Sequence, residues 1–415
     1  METTFEIFKT FITNNTGADI SSLRLKYAGK EPTFHGLSAI DQIEARKKTR
    51  TKLSSFIAHD AFLFPSTLSA EQSSNESVAR FHASLFSSDE KVADLTAGLG
   101  IDAFTIAKHV NHVTAIERYN NYSDTLIHNA KVIDVENITV INANSLEWLD
   151  THDISFNTIF VDPARRGDMN KRTFALEDCE PDIIANLNLL AAHTDRILVK
   201  CSPMLDVKEL IRRVPSLRRI FIVSYASECK EILIEIIPDN VSAVEIISVR
   251  LGKHGDSIIL PFSESDLSLN PSTYADIDSI LKNNTPCYLY EPDPAIMKIS
   301  PWTALVKAYP SLVKIAPNTN LFITSDPSIP LPGRIVSILS PLDKKSLKQL
   351  RGTPINVVAR NFPLSAPQII SKYNLIAKKQ QKQTLDAEAR FLYCFRDSAS
   401  HPHLLLTAEL DNRDI

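Results

Sequence analysis

The chain has 415 residues, which at about 100–200 residues per domain leaves room for two to four domains. Hydrophobic residues make up 44% and charged residues 23%, a composition that excludes wholesale disorder. The 45 Lys+Arg against 49 Asp+Glu give a net charge of −4, so only a local basic surface could meet an anionic polymer.

The first stretch, METTFEIFKTFITNN, has no basic flank and no long apolar run, so it does not read as a signal peptide. No run approaches the ~18 apolar residues of a membrane span. Residues 1–89 read as a mostly helical N-terminal region. Its clearest helix is Ile40 to Ala61, where Ile40, Ile43, Leu53, Phe56 and Ile57 recur among charged residues.

From residue 90 the pattern changes. The apolar runs VADLTAG, HVTAIE, ITVINAN, NTIFVDPA and RILVKCSP are each followed by an amphipathic or polar segment. This alternation predicts an α/β domain over 90–250, a parallel sheet with helices on both faces. RIFIVSY and ILIEII lie close together and read as an antiparallel hairpin at its end. Residues 251–284, rich in Ser, Asp, Asn and Pro, read as a linker. Residues 285–330 suit a small ferredoxin-like α+β module by the order and size of their elements. Residues 331–415 read as a second, basic α+β domain.

The sharpest local signal is Val92-Ala93-Asp94-Leu95-Thr96-Ala97-Gly98-Leu99-Gly100-Ile101-Asp102-Ala103, a buried strand, a glycine turn and a helix. Glycine lets the backbone approach a ligand closely. The next strand ends in Glu117, whose carboxylate could accept both hydrogen bonds of a ribose diol. Gly98-x-Gly100-x-x-Ala103 also satisfies a nicotinamide fingerprint, so the glycines alone leave the cofactor open.

The segment Asp94-Leu95-Thr96-Ala97-Gly98-Leu99-Gly100-Ile101-Asp102 resembles the first motif of class I S-adenosylmethionine-dependent methyltransferases, and Glu117 the second. The resemblance covers about residues 64–237. It implies a Rossmann-like doubly wound sheet and S-adenosylmethionine as cofactor, with Thr96, Gly98 and Gly100 around the methionine part and Asp94 steadying the turn or the amino group. Asn144, after the third strand, stands where the family commonly has an Asp for the adenine amino group. An Asn oxygen can accept the same bond, though an Asn there equally suits a strand-to-helix turn. A cationic sulfonium makes neighbouring carboxylates sensible, whereas a pyrophosphate prefers helix N-termini and little acid.

The fourth strand runs into Asp162-Pro163-Ala164-Arg165-Arg166. Amino-group methyltransferases carry an acid-or-amide, Pro-Pro-aromatic loop here. The resemblance implies that Asp162 and Pro163 orient a target amine for in-line transfer. Ala164 and Arg165 depart from the pattern, so a guanidinium replaces the usual aromatic platform. Arg166 and Lys200, the latter at the end of the fifth strand, are candidate phosphate contacts. Gln72-Ser73-Ser74 lies in a segment that resembles the one preceding the cofactor loop of methyltransferases related to the cap guanine-N2 enzymes. It would cover the cofactor; the plain alternative is a helix N-cap at Ser69.

Between Pro341 and Arg396 eleven Lys and Arg stand against three Asp and Glu. Val357-Val358-Ala359-Arg360-Asn361-Phe362-Pro363-Leu364 and the basic stretch holding Lys378 and Lys379 resemble the THUMP-like domain attached to some bacterial methyltransferases. That implies RNA, tRNA foremost, as partner, held by Arg360, Lys378 and Lys379. The five cysteines are scattered with no C-x-x-C pair, which fits a reducing cytoplasm and argues against a metal site. The combined expectation is a cytoplasmic S-adenosylmethionine-dependent RNA methyltransferase acting on a base nitrogen, without metal or membrane. A nicotinamide-dependent oxidoreductase and a non-catalytic RNA-binding protein on the same scaffold are the alternatives.

Overall fold

In the computed structural model, residues 2–165, 176–253, 255–282, 287–377 and 390–410 are described. The chain forms two compact units. The first holds Met1–Tyr225, Lys230–Val244 and Lys253–Gly255; the second holds Ala226–Cys229, Glu245–Gly252 and Asp256–Ile415.

The first unit is built on strands β1 (Lys91–Asp94), β2 (His112–Glu117), β3 (Ile138–Asn142), β4 (Thr158–Val161), β5 (Ile197–Cys201), β6 (Leu217–Tyr225) and β7 (Glu228–Ile236), in the spatial order β6-β7-β5-β4-β1-β2-β3. The first five are parallel, and β7 runs antiparallel to β5. The predicted hairpin is therefore present. Its two linking residues, Ala226 and Ser227, both have positive φ (51° and 61°), the twist that joins adjacent antiparallel strands. The order reverses beside β1, where β2 lies on one side and β4 on the other. That is the switch point at which doubly wound sheets open a crevice.

The N-terminal helices α1 (Glu2–Asn15), α2 (Ile20–Tyr27) and α3 (Ala39–Thr49) share one apolar cluster around Phe8, Ile12, Leu23, Ile40 and Ile43. The helix expected over 40–61 ends at Thr49. Beyond it the chain wraps around Arg46, whose guanidinium donates to the carbonyls of Ile57, His59, Asp60 and Phe62. Periodicity does not reveal this break, because the fold-back is held by one side chain rather than by a Pro or Gly.

Two buried amides then fix the chain that leads to the site. Gln42 exchanges hydrogen bonds with the backbone N–H and C=O of Phe64 at 2.9 and 2.8 Å. Asn129 does the same for Leu63, both at 2.8 Å. They satisfy backbone groups that would otherwise be buried unpaired. Asn129 lies on the helix Asn120–Val132, so this pair docks the segment onto the sheet domain.

In the second unit β8 (Glu245–Leu251) and β9 (Ser257–Ser263) form an antiparallel pair. The linker expected over 251–284 therefore begins with a strand, Ser257-Ile258-Ile259-Leu260, whose short apolar run is masked by the polar residues after it. The remaining strands are β10 (Tyr288–Pro292), β11 (Leu312–Ala316), β12 (Thr319–Thr324), β13 (Gly333–Pro341), β14 (Pro354–Arg360), β15 (Ile376–Ala377), β16 (Arg390–Arg396) and β17 (Pro402–Glu409). They make one eight-stranded sheet in the order β11-β12-β10-β13-β17-β16-β14-β15. The two stretches read separately from sequence thus meet edge to edge through β10 and β13, from Tyr288↔Ser337 to Pro292↔Gly333.

Candidate active site

The carboxyl ends of β1, β2 and β4 open onto a cavity of about 750 Å³. Gln72, Ser73, Ser74, Asp94, Thr96, Gly98, Gly100, Glu117, Asn144 and Asp162, all singled out from sequence, line it. Strand geometry explains the convergence, because a βαβ crossover returns each strand end to the same edge.

The helices around it are α4 (Thr67–Gln72), α5 (Glu76–Ala83), α6 (Ile101–Ala107), α7 (Asn120–Val132) and α8 (Ser145–Thr151). α4 starts in a capping box made by Ser66 and Ser69, so the N-cap is Ser66, three residues before the Ser69 expected from sequence. Ser66 Oγ also shares a 2.8 Å hydrogen bond with Tyr122 of α7. Gln72-Ser73-Ser74 is the junction between α4 and α5, with Asn75 capping α5.

The glycine turn is held from two sides. Asp94 Oδ1 accepts from the Thr96 N–H at 3.0 Å, and Glu117 Oε2 accepts from the Gly98 N–H at 2.9 Å. Glu117 Oε1 accepts from the Tyr119 N–H at 2.9 Å. Asp94 is 2% exposed, and this burial pushes its carboxyl up to about 8. Gly98 (φ 55°) and Gly100 (φ 88°) differ in what they require. A Cβ on Gly100 would lie 2.3 Å from Leu126 Cδ2 and 2.6 Å from Phe104 Cε2; at Gly98 the nearest atom is 3.8 Å away. Gly100→Ala is expected to cost on the order of 1–3 kcal/mol from strain and overpacking. Gly98→Ala should cost less, and urea unfolding of the two variants ranks them. Equal midpoints would mean that packing does not dictate the second glycine.

Asn144 caps α8, its Oδ1 accepting from the Leu146 N–H at 3.2 Å and its Nδ2 donating to Glu147 at 3.1 Å. The turn-forming alternative is thus realised at a residue that also lines the cavity. The Asp162 N–H donates to Thr96 Oγ1 at 2.7 Å, tying the loop after β4 to the glycine turn. Pro163 is buried. The backbone of Ala164 and Arg165 pairs with Glu180 and Cys179. The Arg165 side chain, Arg166, Lys378 and Lys379 lie outside the described residues.

Two expected phosphate ligands are already engaged. Lys200 is 13% exposed and donates to Asp162 Oδ2 at 2.6 Å and to Ser74 Oγ at 2.9 Å. It is a buried member of the site rather than a free cation at a strand end. Arg360 is bound at 2.6 Å to Glu291, which also meets Arg334 at 3.2 Å and the Tyr393 hydroxyl at 2.8 Å. Both corrections have one physical cause: a carboxylate distant in sequence claims the cation.

Behind the cavity lies a buried charge network that sequence reading missed. His82, fully buried on α5, sits between Asp102 Oδ1 at 2.8 Å and Glu231 Oε1 on β7. The two carboxylates hold its imidazole up to about 10, so it is a cation. Lys200 and His82 in turn hold the Asp102 carboxyl well below its usual range. Ser74 Oγ donates to Asp102 Oδ2. One signal was present in the sequence: Glu231 and Glu235 interrupt an otherwise apolar strand, and buried acids need partners. Glu235 finds Arg196 at 2.7 Å and Arg219 at 3.2 Å. Cys201 is buried, which pushes its thiol up and away from thiolate chemistry. Among the described residues, no group of three or more His, Cys, Asp or Glu could hold a metal ion. None of the described helices is long and apolar enough to cross a membrane.

Comparison with known proteins adds three findings. Residues 288–332 match the ferredoxin-like domain family. The crystal structure of a candidate methyltransferase from Porphyromonas gingivalis W83 matches over 97% of this chain and 98% of that one, with a TM-score of 0.81 and 24% identity. An uncharacterised RNA methyltransferase of Mycoplasma mobile is 27% identical over 152 residues. That match spans 36% of this chain and 41% of the relative, so the chain spans less than half the length of the curated relative it matches. The fold is therefore α/β, a Rossmann-like methyltransferase sheet accompanied by a small ferredoxin-like domain.

Proposed function

We propose that this protein is an S-adenosylmethionine-dependent methyltransferase acting on RNA, with tRNA the favoured substrate and a base nitrogen the acceptor. The observation that carries the reading is the charge of the cleft: Asp94, Asp102, Glu117 and Asp162 line a cavity that opens at a glycine turn. Such a lining suits a ligand that bears an ammonium and a sulfonium, and repels a pyrophosphate. The RNA methyltransferase relative and the fold likeness support it.

In this reading Glu117 accepts from the ribose hydroxyls, Asp94 faces the amino group, and Gln72 with Ser73 covers the cofactor. When bound, S-adenosylmethionine supplies an electrophilic methyl group whose C–S bonding pair departs with neutral sulfur as the acceptor lone pair forms the N–C bond. Asp162 accepts a hydrogen bond from the acceptor N–H, which aims the lone pair, and then receives the proton that the nitrogen sheds. Pro163 keeps the loop in shape and offers no competing N–H. Most of the rate comes from this alignment.

The basic residues of the second unit fit the polymer. The helices Lys344–Gln349 and Ala366–Tyr373 pack on one apolar cluster through Leu347 and Ile369, and Lys345, Lys348, Arg351 and Lys372 are exposed. With Arg360 held by Glu291, these are the better phosphate contacts. We read residues 331–415 as THUMP-like and the sheet unit as related to the cap guanine-N2 enzymes. Such an enzyme would work in the cytoplasm.

Mass spectrometry of nucleosides from total RNA of a strain lacking the protein is expected to show one methylated nucleoside missing and restored by the wild-type chain. An unchanged profile would count against RNA as the acceptor.

A further inference from the structure

We propose that Lys200 is a positioning residue for the acceptor: its ammonium ties down Oδ2 of Asp162 and keeps that carboxylate anionic, so that Oδ1 is left to take the hydrogen bond, and then the proton, of the incoming amine. The proposal deepens the methyl-transfer reading and rests on it.

The geometry is that of a clamp. Lys200 Nζ stands 2.6 Å from Asp162 Oδ2 and 2.9 Å from Ser74 Oγ. It is 3.9 Å from Asp102 Oδ2 and 4.0 Å from Glu231 Oε2. Its own side chain is 13% exposed, whereas that of Asp162 is 41% exposed where it lines the cavity. Among the described residues, Asp162 Oδ1 has no hydrogen-bond partner. One oxygen is thus committed inward and the other is left for a ligand.

The charges facing the pair come from several elements. Asp102 lies on α6, His82 on α5, Glu231 on β7 and Asp94 at the end of β1. Lys52, held by the carbonyls of Ala70 and Glu71, and the neighbouring Cys201 complete the surroundings. Two cations, Lys200 and His82, thus balance three carboxylates, Asp102, Glu231 and Asp162. Enclosure pushes the Asp162 carboxyl up, and the Lys200 ammonium pulls it back. Without Lys200, Asp162 is the most exposed of the three carboxylates and would take up a proton first. A protonated Asp162 is a poorer acceptor for the amine N–H and cannot receive its proton. Ser74 belongs to the segment read as covering the cofactor. It bonds both Lys200 and Asp102, so the same ammonium joins the cofactor side to the acceptor side.

The test is the pH profile of methyl transfer to RNA prepared from a strain lacking the protein, using full-length wild type, Lys200→Met, Lys200→Arg and the double variant Lys200→Met with Asp162→Asn. The expected result for Lys200→Met is an acid limb moved up by at least one pH unit. Its rate should fall more than tenfold at pH 6.5 and largely recover by pH 9. Lys200→Arg, which keeps the charge, should hold the limb near its wild-type position. The double variant, whose amide does not titrate, should lose the shifted limb.

Urea unfolding of the same chains against pH supplies a reading without substrate. A carboxyl whose folded value lies above its unfolded value loses stability as pH rises between the two. Lys200→Met should therefore show an extra downward slope that Asp162→Asn removes. An unshifted limb in an active Lys200→Met, or stability curves parallel to wild type, overturns the proposal. An inactive wild type overturns the underlying reading as well.

Discussion

Asp162→Ala is expected to lower methyl transfer to RNA by about 10³-fold, within the range for a group that both aims an acceptor and receives its proton. The affinity for S-adenosylhomocysteine should stay within about threefold of wild type by calorimetry, because the residues assigned to the adenosine and methionine parts lie on other loops. Asp162→Asn should fall between the two. Its amide oxygen still accepts from the amine N–H but is too weak a base to receive the proton. The chain should remain folded, since Lys200 keeps Ser74, Asp102 and Glu231 as neighbours. An Asp162→Ala protein within tenfold of wild-type activity would remove Asp162 from the acceptor site. A parallel loss of cofactor binding would move it to the cofactor site instead.

The other large effect concerns stability. His82→Leu removes the cation between Asp102 and Glu231 and leaves two buried carboxylates short of a partner. Breaking a buried charge pair in this way costs about 3–5 kcal/mol. The pH dependence carries a sign that separates this from lost packing. The imidazole is held up to about 10 in the folded chain, against about 6.5 when unfolded. Its contribution is fully present below pH 6.5 and drains away as pH rises through about 10. The gap in urea midpoint between wild type and His82→Leu should therefore narrow steadily from pH 6.5 to pH 10. A gap that stays constant would mean that the imidazole is neutral in the folded chain. His82→Gln, which retains hydrogen bonding without charge, gives the same comparison in a milder background.

Both residues act on one cleft, yet they differ in how visible they are along the chain. Asp162 follows a buried strand and precedes a proline. Such a position is readable because the strand delivers its last residue to the sheet edge whatever surrounds it. His82 sits in the helix Glu76–Ala83 among ordinary neighbours. Nothing local distinguishes it from a solvated histidine until β7 brings Glu231 against it from 149 positions away. The same contrast separates Glu117 from Arg360. Glu117 closes a strand next to the glycine turn, whereas Arg360 reads as a free basic residue until Glu291 takes it.

Element type and order along the sheet domain followed from the alternation of apolar runs with amphipathic stretches, because burial on one or two faces imposes that period on any sequence. The same holds for the strand ends that carry Asp94, Gly98, Glu117 and Asp162, since a βαβ chain has one edge at which its strands finish. Tertiary structure alone decided the partners: which carboxylate claims Lys200, which amide braces Leu63 and Phe64, and that two C-terminal stretches share one sheet. Charge pairing and strand pairing depend on distance in space, and residues far apart in the chain leave no periodic trace of it.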